Sequence, residues 1–355
     1  MVFSHYIYKY PYRLAWRIRR LLRKGFDLIF YCADPIDWII LSRLREYLPP
    51  LRIIASGNAT KAYLRERGIA FQSMPAFPDA VIMSRHAAHK FPEKRIMKFG
   101  LRHGVYHFKR FTSARNYNLF DLYFVTSSRE AEIALSLGIR SVRAAGFPKL
   151  DPAFDGTYPE DRLDVYRRDC GLDPHKKTVL FTATWEKSGM SAVQLWKDRI
   201  GELTNSYNVH VTLHPWISGK VRQSIAELPG IYFIADYDVL PYMLIADVMV
   251  GDTSSILGEF CALDKPIITF RVPEAKRMLP EIKELLESIS MRVATFDEME
   301  AALRRIAEEG DDRKEQRARA NRIMFDELDG LVGKRIAREI VDYLEKSGKL
   351  AEESI

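Results

Sequence analysis

The sequence predicts an α/β protein of two tandem domains built on parallel sheets, preceded by an amphipathic helix. Three observations carry this reading. Short apolar runs of strand length alternate with helical patterns along most of the chain. The length of 355 residues suits two cores, at about 150 residues per domain. The excess of positive charge, finally, sits at one end. The chain holds 54 Lys+Arg and 47 Asp+Glu, and residues 1–26 contain Lys9, Arg13, Arg17, Arg19, Arg20, Arg23 and Lys24 with no acid, which leaves the remainder balanced at 47 against 47. Basicity confined to one short segment argues against a broad nucleic-acid-binding surface. A composition of 47% hydrophobic and 28% charged residues excludes a disordered or fibrous chain.

The first element is a helix over Pro11 to Lys24. Leu14, Ala15, Ile18, Leu21 and Leu22 fall at helical spacing on one face, and Pro11 suits the first turn. Arg13, Arg17, Arg20 and Lys24 line a second face. Such a helix fits an anionic membrane surface, with Tyr8, Tyr10, Tyr12 and Trp16 at headgroup level. The alternative is an ordinary amphipathic helix docked on the first domain. The unbroken run of positive charge favours the membrane. Interleaved basic and apolar residues do not make a signal peptide. The apolar stretch Phe26 to Leu41 is broken by Asp27, Asp34, Pro35 and Asp37, so no spanning helix is expected.

Strands follow in order. In the first half they are expected at Leu28 to Cys32, Arg52 to Ala55, Ala80 to Met83, Arg95 to Phe99, Leu122 to Thr126 and Ser141 to Ala144. In the second half they are expected at Thr178 to Ala183, His210 to Leu213, Ile231 to Ile234, Val248 to Val250, Pro266 to Phe270 and Met291 to Ala294. The stretch Pro148 to His175, rich in Pro, Asp and Gly, is the natural domain junction. The segments divide as 1–25 (basic helix), 26–160 (first domain), 161–330 (second domain) and 331–355 (final helix). Two Rossmann-like domains in tandem are the simplest architecture. Cys32, Cys170 and Cys261 are isolated, so neither a disulfide framework nor a zinc site is expected, and the composition suits a reducing compartment.

In open parallel sheets ligands bind beyond the carboxyl ends of the strands. Four strand ends carry chemistry: Arg102-His103-Gly104, Thr184-Trp185, His214-Pro215 and Gly251-Asp252-Thr253-Ser254-Ser255. The last reads as a turn into a helix running to Leu263, where hydroxyls and free backbone N–H groups suit a phosphate. Plain N-capping would use the same residues. His103 and His214 end equivalent strands in the two halves. One imidazole can accept a proton while the other stabilises phosphate charge. Glycine-rich dinucleotide, P-loop and zincin motifs are absent from the sequence, and no metal is expected.

These segments together resemble the CDP-glycerol glycerophosphotransferase family of teichoic acid synthesis. The resemblance runs from about Phe99 to Leu344. It rests on His103-Gly104 with Lys109, the Asp121 to Ser127 segment, Gly146-Phe-Pro-Lys-Leu-Asp151, Val179 to Trp185, His214-Pro215, the Asp247 to Ser255 segment, Leu263 to Ile268 and Leu328-Asp-Gly330. It implies a GT-B fold with an interdomain cleft, an acceptor-binding first domain, a donor-binding second domain and a final helix returning to the first. It also implies metal-independent transfer of glycerol phosphate from CDP-glycerol to a lipid-linked saccharide, peripherally, at the cytoplasmic face of the cell membrane. No cofactor beyond the CDP-alditol donor substrate is implied.

By this resemblance His103 is the base and His214 stabilises phosphate. Thr184, Asp252, Thr253, Ser254, Ser255 and Glu259 serve the donor, while Lys109, Lys149 and Asp151 lie on the acceptor side. The chain departs from the usual family pattern at Arg102 (for Trp), Lys149 (for Arg), Ala183 and Glu186 (for Pro and Arg flanking Thr-Trp) and Thr253 (for Tyr). A sugar transferase or a UDP-sugar 2-epimerase on the same fold is the competing reading. An assembly of identical copies is compatible with the sequence.

Overall fold

In the computed structural model the described residues are 2–105, 113–273 and 280–349, with side chains described from Tyr8 onward. The chain divides into two compact units. The first comprises residues up to 103, 113–151 and those from 329 onward, and the second comprises 104–105 and 152–328 where described. The chain passes between them at Asp151 and Pro152, inside the Pro148 to His175 stretch and ahead of the 160/161 boundary that composition suggests.

The first unit holds a seven-stranded sheet among the described residues. Its strands are β1 (Leu28–Cys32), β2 (Arg52–Ala55), β3 (Gln72–Ser73), β4 (Ala80–Met83), β5 (Met97–Gly100), β6 (Leu122–Val125) and β7 (Val142–Ala144). The order is β3-β2-β1-β4-β5-β6-β7, and every pairing is parallel. β1 and β4 are apolar and buried at every position, as strands covered by helices on both faces must be. β3 is two exposed polar residues at the sheet edge, and no apolar pattern announces it.

The second unit repeats the plan with six strands: β8 (Lys177–Ala183), β9 (Tyr207–Leu213), β10 (Ile231–Phe233), β11 (Val248–Gly251), β12 (Ile267–Phe270) and β13 (Met291–Val293). The order is β10-β9-β8-β11-β12-β13, again all parallel. Strand order therefore reverses between β1 and β4 in one unit and between β8 and β11 in the other. Those reversals leave a crevice at the carboxyl edge of each sheet, because the following helices depart to opposite faces.

The N-terminal helix spans Val2–Leu22 and docks on the first unit by an aromatic and arginine face. Tyr12 and Trp16 are buried, donating to Ala76 O and Pro78 O at 2.6 Å each. Arg13 donates to Pro92 O at 3.0 Å, Arg20 pairs with Asp79 at 3.0 Å, and Arg23 bridges Asp27 and Asp79. The expectation that Tyr12 and Trp16 sit at headgroup level is thus corrected. Their polar atoms answer carbonyls that would otherwise be buried unpaired, and their rings fill the core. The leucine face points the other way: Leu14, Ile18, Leu21 and Leu22 are 50–86% exposed.

The final helix, Val332–Lys346, belongs to the first unit. It buries Ile336, Ile340 and Leu344 at successive turns, each worth about 1.5–3 kcal/mol of apolar burial. Gly333 is required there, since a Cβ would collide with the Arg43 carbonyl. No helix among the described residues is long and apolar enough to cross a membrane.

Candidate functional site

The crevice of the second unit gathers most of the expected donor residues. β8 and β9 pair Ala183 with Leu213, so the next residues, Thr184 and His214, leave the sheet side by side. His214 N donates to Ala183 O at 3.3 Å. Across the reversal, β11 pairs Val250 with Phe181, which brings Asp252 opposite the end of β8.

Asp252 is almost wholly buried and accepts hydrogen bonds from four donors of the protein itself. The donors are Thr184 N (2.9 Å), Thr184 Oγ1 (2.7 Å), Thr253 N (2.6 Å) and Ala192 N (3.0 Å). A carboxylate committed in this way ties the loops after β8 and β11 together. It sets Thr184 and Thr253 in position and does not present itself to a phosphate, which its charge would repel.

Thr253, Ser254 and Ser255 follow at the crevice rim, each half-buried. The helix beyond them runs only from Ile256 to Cys261, shorter than its apolar pattern suggests. Ser255 occupies the N-cap position in a helical conformation and makes no side-chain capping bond. The capping alternative therefore does not account for its hydroxyl. Gly104 lies against it within the same unit: a Cβ on Gly104 would stand 3.2 Å from Ser255 Oγ. Glu259 is buried one turn along this helix.

His214 is half-buried, and its Nδ1 accepts from Trp216 N at 3.1 Å. An acceptor at Nδ1 fixes the neutral tautomer, so the proton sits on Nε2 and that nitrogen donates. The Trp216 ring stands 5.3 Å from His214 and meets Trp185 edge-on at 5.4 Å.

In the first unit His103 follows β5 directly after Arg102. Arg102 is buried and its Nη2 donates to Glu130 Oε1 at 2.8 Å. Glu130 Oε2 in turn accepts from Thr126 N (3.1 Å) and Oγ1 (3.0 Å) beyond β6. Arg102 thus locks the ends of β5 and β6 together immediately before His103. Lys149 is buried in the turn Pro148–Ala153. Asp151 is spent on the final helix, accepting from Val332 N (3.2 Å) and Gly333 N (2.7 Å). It acts as an N-terminal cap there. Lys109 lies outside the described residues.

Sequence reasoning passed over Asp37, which plays in the first unit the part of Asp252 in the second. Buried at the β1/β4 reversal, it accepts from Ala33 N (2.7 Å), Asp34 N (2.9 Å), Ser84 Oγ (2.5 Å) and Arg85 Nε (3.2 Å). Burial pushes its pKa up, against these partners. The signal was present, since an acid inside an apolar helical segment beyond a buried strand needs partners. Trp216, two residues past a strand-end histidine, was the other. Among the described residues no group of three or more His, Cys, Asp or Glu is arranged to hold a metal ion.

Comparison with known proteins agrees with this anatomy. The model of a family described as CDP-Glycerol:Poly(glycerophosphate) glycerophosphotransferase matches residues 96–342, well over half of the chain. A teichoic acid glycerol-phosphate primase of Bacillus subtilis (strain 168) is 28% identical over 170 residues, 46% of this chain and 42% of that protein. The teichoic acid ribitol-phosphate polymerase TarL of Staphylococcus aureus is 25% identical over 203 residues, 54% of this chain and 35% of TarL. The matches thus span less than half of the length of these curated relatives. Among solved structures, a variant of the wall teichoic acid polymerase TagF superposes with a TM-score of 0.72 at 13% identity, covering 97% of this chain and 99% of that one. A UDP complex of S. aureus MnaA superposes at 0.60 with 16% identity, covering 90% and 97%. At such identities these superpositions establish the GT-B-like fold.

Proposed function

The chain belongs to the CDP-Glycerol:Poly(glycerophosphate) glycerophosphotransferase family, and from that premise we propose that it transfers glycerol phosphate from CDP-glycerol to a lipid-linked saccharide. The acceptor hydroxyl oxygen attacks the phosphorus that bears glycerol, and His103 takes its proton. The bond from that phosphorus to the bridging oxygen breaks, and CMP leaves with the electron pair. His214 donates from Nε2 to the phosphate, and the Thr253 to Ser255 rim holds the diphosphate with hydroxyl and backbone donors. In-line displacement at phosphorus asks mostly for positioning and charge neutralisation, and these residues supply both without a metal. Glu259 reaches the ribose hydroxyls.

The observation that carries the reading is the second-unit crevice. Its Ser255 hydroxyl is unspent on capping, its loops are tied by Asp252, and His214 is fixed as an Nε2 donor. Peripheral attachment at the cytoplasmic face of the membrane belongs to the same proposal. It is supported by the exposed stripe of Leu14, Ile18, Leu21 and Leu22, with Arg17 on the helix and Lys24 just past its end also exposed.

Purified protein given CDP-glycerol and a short-chain lipid-linked disaccharide should release CMP, in EDTA as well as without it. Failure to release CMP from any CDP-alditol overturns the proposal. His103→Ala and His214→Ala should each lower transfer by about 10²–10⁴-fold while melting like the parent. Thermal shifts with CDP-glycerol, CMP and UDP-sugars separate this activity from epimerase chemistry. A ligand at 100 times its Kd adds about 2.7 kcal/mol of stability, and a response to UDP-sugars alone would favour the epimerase.

A further inference from the structure

Trp216 is 69% exposed at the end of β9, and burial gives no reason for so large an aromatic ring at that place. It does not stand alone. The Trp185 ring meets it edge-on at 5.4 Å, and the loops that carry the two rings are tied by Glu186, whose Oε2 accepts from Ser218 N at 3.0 Å. Gln194 Nε2 reaches Glu186 Oε1 at 3.4 Å. Exposed aromatic area is thus held in a fixed orientation, which lowers the entropic cost of anything that stacks on it.

The position of the pair narrows what that ligand is. The diphosphate rim and Glu259 lie on β11 and its helix, on one side of β8, whereas Trp216 and His214 lie on β9, on the other. A nucleotide anchored at the rim puts its ribose toward the β11 side and its transferable end toward His214. The aromatic pair therefore borders the reacting end. Beside it stands the Glu186 carboxylate, which accepts hydroxyl hydrogens and repels phosphate.

We propose that Trp216 and Trp185, with Glu186, form a subsite in the second unit that stacks the apolar face of a pyranose ring of the acceptor saccharide next to His214. The inference rests on the proposed transfer reaction and adds where the acceptor ring sits. Trp216→Ala keeps the backbone N–H that fixes His214, and the exposed ring contributes little to the fold, so the variant should melt within about 2 °C of the parent. Its KM for the short-chain lipid-linked disaccharide should rise about tenfold or more, the scale of one lost aromatic stack. Its Kd for CMP, by calorimetry, should stay within about twofold. Trp216→Phe should recover most of the disaccharide KM, because a planar ring suffices.

An unchanged disaccharide KM in Trp216→Ala overturns the subsite. So does a parallel loss of CMP affinity, which would assign the rings to the cytosine base. Parent protein that binds CMP yet shows no saturable dependence on the disaccharide overturns the saccharide class, while parent protein that binds no CMP defeats the transfer reading itself.

Discussion

Replacing Asp252 by Asn tests whether this acid ties the crevice together or touches the ligand. In the parent, one carboxylate oxygen serves Thr184 Oγ1 and Thr253 N, and the other serves Thr184 N and Ala192 N. An amide can keep only one acceptor. Its better orientation turns the NH2 toward Thr184 Oγ1, which can rotate to accept, and leaves Thr253 N facing a donor. An unmet or opposed donor costs about 1–3 kcal/mol, and the lost charge weakens the bonds that remain. The expected penalty is about 2–3 kcal/mol for Asp252→Asn. It is about 4–6 kcal/mol for Asp252→Ala, where Thr184 N and Ala192 N are stranded in a buried site. For a domain of this size each kcal/mol lowers Tm by about 2–4 °C, so the Asn variant should melt about 4–12 °C lower by scanning calorimetry. CMP titration below that transition should show weakened affinity that follows the loosened loops. A variant that melts within about 1 °C of the parent yet no longer binds CMP would refute the tether and return Asp252 to direct ligand contact.

Four further outcomes follow from the structure. His210 on β9 is fully buried, neither ring nitrogen meets a hydrogen-bond partner among the described residues, and burial lowers its pKa to about 4. The unfolded chain therefore takes up its proton first as pH falls below about 6.5, and stability drops on the way down to the folded value, by about 2 kcal/mol between pH 8 and pH 5. In urea melts at those two pH values, His210→Leu should remove that part of the loss, and an identical pH dependence in the variant would count against it. Gly104→Ala brings a Cβ to 3.2 Å from Ser255 Oγ, so CMP affinity should fall while Tm changes by no more than about 2 °C; unaltered affinity would mean that the rim tolerates the shift. At the N-terminal helix, Trp16→Ala should destabilise the first unit by about 3–5 kcal/mol. Leu21→Glu with Leu22→Glu should leave Tm unaltered but weaken sedimentation with phosphatidylglycerol vesicles, and undiminished sedimentation would remove the leucine stripe from the membrane proposal.

How far the fold was legible follows from what each element buries. β1 and β4, at the centre of the first sheet, are continuous apolar runs because helices cover both faces, and such runs are visible in sequence; the polar edge strand Gln72–Ser73 is not, because only its backbone pairs. The crevice residues were legible by position, since the register of β8, β9 and β11 carries whatever follows those strands to one edge. Their individual duties were less so. An aspartate that receives four donors and one that faces a ligand look alike in sequence, and Asp252 and Asp151 both proved to serve the backbone of their own unit. Tyr12 and Trp16 of the N-terminal helix left their expected place at headgroup level for a related reason. Helical spacing identifies a leucine stripe, yet Tyr12 and Trp16 bring both ring area and a polar tip to answer carbonyls, and they took the core side instead.

The cap that Asp151 gives to Val332 and Gly333 closes a loop of the chain as long as the whole second unit. During synthesis the six strands of the second unit come from one continuous stretch of chain, which can complete its sheet as soon as it leaves the ribosome. The first unit, begun earlier, must wait with the seat of the Val332–Lys346 helix open until that helix emerges. Its Ile336, Ile340 and Leu344 contacts then arrive together, as a single late docking step that ends the assembly of a unit whose strands were made first.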